Sequence, residues 1–467
     1  MTSTPAFPST AAAGASAAAD QTDRLILAMA RDEAGWDDET LIVIVDDETG
    51  ALTQEALLSA RSGAQPGRPV LLWNASRSRS VAFAELHADA LGSGSLRIGG
   101  IDGAPTDLGE MTAGAGGEGP VVVLMRLPKA LAALDHRAAE LARAAGAGAE
   151  KRALAIVAGG RVKHMTRTQN EVLERHFTDV YATRGLGKSR CLVATGPSTQ
   201  STGAAQEASS SQRKLAIRGQ QRPLQLRGIG GVFGGASADA GSLLLLGALD
   251  EALVADAAAP AESGEREPEG LMAVDLGCGN GLMTAYLAQS FPGARILASD
   301  DDLDAVASAR ATLAANGLER SGIEVTWDDS ISSAPSASAD LVLLNPPFHE
   351  GAAIDATLVH GLLDAAARVL KPGGVLWFVH NSHLRYRHEL ATRIGLTEQA
   401  ARDRRFTVLR AQKRAAGDAG PSAPAAHGET APPTGRASGE ASASDQSSAS
   451  GERELTLGEQ LDRARGN

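Results

Sequence analysis

Short apolar runs alternate with amphipathic stretches along most of the chain, and the alternation repeats itself in two halves. In the first half, Leu41 to Val45, Val70 to Trp73, Val121 to Leu124, Ala153 to Ala158 and Arg190 to Val193 read as buried strands. Helical periodicity fills the gaps between them, notably over Lys129 to Ala145 and Arg167 to His176. In the second half, Leu271 to Val274, Ala294 to Ser299, Ile323 to Trp327 and Leu341 to Leu344 repeat the pattern, with a helix over Leu282 to Ser290. Its closing strands are Val375 to His380, after the Pro372-Gly373-Gly374 turn, and Phe406 to Ala411. Strands separated by helices predict a parallel sheet covered on both faces, once in each half. The expected boundaries are an Ala/Ser tail over 1–22, a first α/β domain over 23–195 and a Ser/Gly/Ala/Gln linker over 196–211. A second α/β domain over 212–414 and a low-complexity tail over 415–467 complete the chain.

Composition narrows the class. The 467 residues have room for two domains, and with 3% aromatic residues the cores must be built from Ala, Leu and Val. Cys191 and Cys278 suggest no disulfide framework, which fits a reducing cytoplasm, and no metal-ligand cluster is visible. No apolar run is long enough to span a bilayer, and residues 1–22 have neither a basic nor an apolar block of a secretory leader.

A net charge of −12 argues at first against a nucleic-acid partner, but its distribution argues for one. Residues 250–270 hold seven acids against one arginine, and residues 415–467 hold eight against four, both in segments expected to be mobile. Residues 151–227 hold fourteen Lys or Arg against four acids, and residues 385–414 hold nine against three. These runs read either as solvated helix faces or as an electropositive track beside an active site.

The chemistry concentrates where strands end. Leu271 to Val274 leads into Asp275-Leu276-Gly277-Cys278-Gly279-Asn280-Gly281 and then a helix. This spacing differs from the Gly-x-Gly-x-x-Gly loop that holds a pyrophosphate. Gly277, Gly279 and Gly281 let the backbone approach a cofactor without phosphate, and Asp275 suits a positive amino group. The second strand ends at Asp300, followed by Asp301 and Asp302, where an acid can take two ribose hydroxyls. The third ends at Asp328-Asp329, placed to meet an adenine edge. Each acid, taken alone, also reads as a helix cap.

After the fourth strand stands Asn345-Pro346-Pro347-Phe348. Asn345 can accept one N–H of a planar amine through its side-chain oxygen while the Pro346 carbonyl accepts the other, which aims the lone pair without deprotonating it. The two prolines stiffen the turn, and Phe348 offers a face for stacking.

In that order, glycine loop, two acidic strand ends and Asn-Pro-Pro-Phe resemble the class I S-adenosylmethionine-dependent methyltransferases that act on amines. Further motifs narrow the resemblance to the two-domain bacterial ribosomal RNA guanine-N2 methyltransferases, most closely the G-type enzymes of the large ribosomal subunit, with their methyltransferase small domain. They are Val232-Phe233, Asp239-Ala240-Gly241-Ser242, Ala305 to Arg310, Val379 to Tyr386 and Arg405 to Leu409. In the first half, Arg126 to Lys129 and Ala158 to Lys163 match as well, while Gly234 stands where that family usually has serine. The resemblance implies two tandem Rossmann-like methyltransferase domains, the first degenerate, because it has no glycine loop after Val45, and used to bind RNA. It also implies that Asp239, Gly241 and Ser242 join the S-adenosylmethionine pocket and that Asn345 to Phe348 hold a guanine. Expected partners are ribosomal RNA or a ribosomal subunit precursor, with no membrane, and the protein is expected to be a cytoplasmic monomer. A guanine-N2 methyltransferase acting on the RNA of the small ribosomal subunit, a protein glutamine-N5 methyltransferase and a non-catalytic RNA-binding assembly factor are the alternatives.

Overall fold

Strands such as Leu41–Val45 are apolar at every position because helices cover both faces of the sheet they enter, and all five of its residues are buried. The computed structural model describes residues 19–37, 39–62, 68–101, 105–115, 119–146, 152–198, 208–258, 270–347 and 356–415. The first sheet comprises β1 (Leu41–Val45), β2 (Val70–Trp73), β3 (Leu96–Ile98), β4 (Val121–Arg126), β5 (Leu154–Arg161), β6 (Phe177–Ala182) and β7 (Ser189–Pro197). Their spatial order is 3-2-1-4-5-7-6, with β7 antiparallel to both neighbours and the other pairs parallel.

A hairpin, β8 (Ser209–Ile217) and β9 (Gln220–Gly228), pairs only with itself. The second sheet then runs through β10 (Met272–Leu276), β11 (Arg295–Asp300), β12 (Ile323–Trp327), β13 (Ala339–Leu344), β14 (Leu370–Asn381), β15 (Gly395–Arg402) and β16 (Phe406–Lys413). Its order, 12-11-10-13-14-16-15, repeats the first sheet strand for strand, and β16 is again the antiparallel one. The expected pair of α/β domains is therefore present as one fold used twice, and each sheet, expected to be parallel, carries one antiparallel strand.

Each copy reverses strand order at its first strand, so a crevice opens at the C-terminal ends of β10 and β13, where such sheets bind ligands. Two apolar layers flank the second sheet, one containing Leu282, Tyr286 and Trp377, the other Val342, Leu363 and Phe378. Leu303 packs against the first of these and also against the core of the first domain, joining the two.

Several boundaries differ from the sequence expectation. The linker is shorter than 196–211, since β7 continues to Pro197 and β8 begins at Ser209. The acidic stretch from residue 250 starts inside the helix Ala240–Ala258 and is not a mobile insertion there. Asp250 is buried and its carboxylate accepts from Arg218 N, Gly219 N and the Tyr286 hydroxyl at 2.6, 3.0 and 3.0 Å. Residues 1–18, 259–269 and 416–467, on which the remaining expectations about tails and the acidic insertion fall, lie outside the described residues. Among the described residues no helix is long and apolar enough to cross a membrane.

Candidate active site

The glycine loop takes its shape from its backbone angles. Gly277, Gly279 and Gly281 have φ of +79°, +51° and +80°, values that L side chains rarely adopt. A Cβ added at Gly277 or Gly279 would meet nothing within 4 Å among the described residues, so those two line open space there. Gly281 does something else. A Cβ there would stand 2.8 Å from Ala309 Cα, so its lack of a side chain lets the Leu303–Ala315 helix pack closely. The loop is anchored by Gly277 N donating to Ser299 O at 2.8 Å and by Asn280 Nδ2 donating to the carbonyls of Gly235 and Ser237 at 2.9 and 2.8 Å.

Asp275 lies beneath the loop, wholly buried; Oδ2 accepts the Thr284 hydroxyl at 2.5 Å, while Oδ1 has no partner among the described residues. Burial pushes its carboxyl up to about 7. Asp300, at the end of β11, accepts from Gly279 N through Oδ2 at 2.9 Å and from Asp302 N through Oδ1 at 3.0 Å. Burial raises it to about 6, and its half-buried position leaves both oxygens with unused lone pairs. An orphaned carboxylate oxygen, an acid at the next strand end and two open glycines between them fit a cofactor with a cationic amino acid end and a ribose.

The other acids are already occupied. Asp301 points to the first domain, where it accepts Ser76 Oγ at 2.7 Å and Ser78 N at 2.6 Å, so it is not a free ribose acceptor. Asp328 closes its own loop by accepting Ser332 Oγ, Ser333 N and Ser333 Oγ. Asp329 is half-buried beside it, accepts Ser330 Oγ at 2.9 Å and is raised chiefly by burial.

Asn345 follows β13 directly, across the crevice from the glycine loop. Its Nδ2 donates to Asp239 Oδ2 and to Ser242 Oγ, both at 2.8 Å. An ionised carboxylate accepts only, so the nitrogen of this amide must face Asp239 and Oδ1 must face the other way. Asp239 is held in turn by accepting Ser242 N at 2.9 Å, at the start of the Ala240–Ala258 helix. A Cβ on Gly241 would come within 3.1 Å of the same carboxylate and 3.4 Å of the Phe406 ring. Asp239 and Ser242 thus hold the Asn345 amide while Gly241 leaves room for the Asp239 carboxylate, an arrangement that spacing alone does not reveal. Pro346 is buried and Pro347 exposed; Phe348 lies outside the described residues.

Part of the second basic run is used inside the fold. Lys413 and Arg414 cap carbonyls, while Arg393 and Arg410 pair with Asp364 and Glu398. Arg402, Arg404 and Arg405 remain exposed on the β15–β16 turn, next to Phe406. In the first domain, Arg161, Lys163, Lys188 and Arg190 are exposed where β5 ends and β7 begins, and Arg213, Lys214 and Arg222 are exposed on the hairpin.

This sheet order, with a glycine loop at the switch point and Asn-Pro-Pro after the fourth parallel strand, defines an S-adenosylmethionine-dependent methyltransferase preceded by a second copy of its fold. The methyltransferase small domain family matches residues 223–410, and the RLMG N-terminal domain family matches residues 108–198. The chain is 30% identical to the ribosomal RNA large subunit methyltransferase G of Streptomyces coelicolor, over 80% of this chain and 88% of that one. It is 29% identical to the protein of that description from Shewanella amazonensis, over 79% and 86% of the two chains. It belongs to the ribosomal RNA large subunit methyltransferase G family. A solved T. thermophilus 16S rRNA N2 G1207 methyltransferase shares the fold across 85% of this chain and 92% of its own, with a TM-score of 0.58 at 22% identity.

Proposed function

We propose that this protein transfers the methyl group of S-adenosylmethionine to the exocyclic N2 of one guanosine in large-subunit ribosomal RNA, in the cytoplasm where that RNA is made. The observation that carries the reading is the fixed orientation of the Asn345 amide. With Nδ2 held by Asp239 and Ser242, Oδ1 is the end that can accept one N–H of the guanine amine. The Pro346 carbonyl accepts the second. Two acceptors in one plane aim the nitrogen lone pair at right angles to that plane, so positioning replaces a general base. The cofactor supplies an electrophilic methyl group on a sulfonium. Asp300 would accept its ribose hydroxyls, Gly277 and Gly279 would lie against it, and Asp275 would balance its ammonium from beneath the loop.

A paired and stacked guanine hides N2, so the base must be unpaired or turned out of its helix to enter. Support for an RNA partner comes from the exposed Arg402, Arg404 and Arg405 beside the site and from the exposed cations of the first domain and the hairpin. The first domain has lost the means to bind the cofactor in this way. Asp46 N donates to Trp73 O at 2.9 Å, as Gly277 N does to Ser299 O, but the next residue is Asp47 in place of Cys278. Its buried carboxylate fills the loop by accepting from Gly50 N, Thr53 N and the Thr53 hydroxyl at 2.9, 2.9 and 2.8 Å.

The test is to map N2-methylguanosine in ribosomal RNA from cells that carry wild type, Asn345→Ala or no copy. One large-subunit position should lose its mark in the last two, while purified Asn345→Ala binds S-adenosylmethionine within about threefold of wild type. An unchanged map in the deletion strain, or labelled protein in place of labelled RNA, overturns the reading.

A further inference from the structure

Four carboxylates crowd the end of β11: Asp300, Asp301, Asp302 and Asp304. Among the described residues the cation paired with this group comes from outside the second domain. Arg137 comes from the first domain, in the middle of the helix Leu131–Gly146, and is 2% exposed. Its two Nη atoms fork onto both oxygens of Asp304 at 2.8 and 2.9 Å, the strongest geometry an arginine and a carboxylate can adopt. Its guanidinium lies 4.3 Å from the centre of the Trp73 ring, and its Nε stands 3.6 Å from Asp46.

From Asp304 the contacts continue into the site. Asp304 Oδ2 accepts Gly231 N at 2.7 Å, which fixes the start of the loop whose Gly235 and Ser237 carbonyls hold Asn280. Asp304 N donates to Asp302 Oδ1 at 2.8 Å, Asp302 N to Asp300 Oδ1 at 3.0 Å, and Gly279 N to Asp300 Oδ2 at 2.9 Å. A guanidinium in one domain and the glycine loop of the other are therefore the two ends of one run of hydrogen bonds.

We propose that Arg137 is a positioning residue for the cofactor: through its fork onto Asp304, the first domain sets where Asp300 and the glycine loop stand and so sets the affinity for S-adenosylmethionine. The first domain then does more than contact RNA. Without the fork, Asp304 is a buried carboxylate beside Asp302 with its main cation gone, and that cluster relaxes only by taking up protons or moving. Burial opposes the charge on Asp304, yet Arg137 holds its carboxyl below the usual range, while burial and the neighbouring Asp304 push Asp302 up. Asp301 is secured separately, by Ser76 and Ser78 at the start of the helix Arg77–Leu86, so the fork can be broken without removing every contact between the domains.

The inference rests on reading Asp300 as the ribose acceptor, and Asp300→Asn in the full chain tests that reading with the Arg137 fork left intact. Calorimetric titration with S-adenosylmethionine and steady-state kinetics on ribosomal RNA are then run on Arg137→Gln, Asp304→Asn and the double variant. Each single variant should bind the cofactor at least tenfold more weakly. The loss should appear in KM for the cofactor, with kcat and RNA affinity within about threefold of wild type. The double variant, a neutral amide pair, should bind no more weakly than the worse single one, because both changes break one contact. Should Arg137→Gln fail to fold, Asp304→Asn carries the same comparison. A folded single variant with wild-type affinity overturns the proposal, and so do losses that multiply in the double variant. Normal binding by Asp300→Asn together with weak binding by Arg137→Gln overturns the ribose reading only.

Discussion

At the scale of single residues, catalysis turns on which end of one amide faces the substrate. The chemistry of Asn345 and the stiffness of its two prolines are legible in four consecutive letters. Its orientation is not, because the residues that impose it are distant in sequence, 106 and 103 positions away. The family resemblance points to Asp239 and Ser242 as pocket residues, and the structure shows the side chain they touch. Asp239→Asn puts this to the test. An asparagine at 239 can donate as well as accept, so the Asn345 amide is free to turn and present Nδ2 to the guanine, which has no use for a second donor there. Methyl transfer should fall by on the order of a hundredfold in kcat. Full turnover in that variant would mean that the pairing does not orient the amide.

At the scale of elements, the glycine loop and its strand store electrostatic strain that pH can read. Asp275 titrates at about 3.9 in an unfolded chain, but burial raises it to about 7 in the fold. Between those values the folded protein holds a proton that the unfolded chain has released. Cofactor-free stability should therefore fall as pH rises from about 4 to 7 and stay low above that, with Asp300 adding to the fall up to about 6. For Asp275 the span corresponds to about 4 kcal/mol at most. Denaturant midpoints of wild type and Asp275→Asn at pH 5 and pH 8 check it. The variant should gain on wild type at the higher pH, and parallel profiles would contradict the assignment. The strand that carries Asp275 was legible because it is apolar and bounded by glycines. The hairpin β8–β9 was not: the first residues of each strand, Ser209 to Lys214 and Gln220 to Pro223, are exposed, burial begins only at Leu215, Ile217, Leu224 and Leu226, and Pro223 interrupts the pattern. Its turn is Arg218-Gly219, with φ of +52° and +74°, where Asn-Gly would have been the recognisable pair.

At the scale of the whole molecule, two copies of one fold have become a single working unit. Repetition was visible in the sequence as two series of apolar runs, whereas the joint between them was hidden. One signal was present: Arg137 sits in the apolar stripe of its helix, between Leu134 and Leu141, where a charge has to be paired. The other contacts include backbone and indole hydrogen bonds that no pattern announces. Arg77 N donates to Asp301 O at 2.8 Å, Leu303 N to Ala75 O at 2.9 Å, and Trp327 Nε1 to the Ala75 carbonyl at 2.8 Å. A buried ion pair added to such contacts makes the two domains unfold together, because separating them leaves Arg137 and Asp304 buried or solvated without each other. Removing one partner of such a pair costs about 3–5 kcal/mol, enough to uncouple domains of ordinary stability. In calorimetric melts wild type should show one transition, which saturating S-adenosylmethionine raises as a whole, by about 2.7 kcal/mol at a hundredfold excess over Kd. Arg137→Met should show two, of which the cofactor moves only the one belonging to the second domain. If wild type itself melts in two steps with only one sensitive to the cofactor, the domains are not joined through this contact.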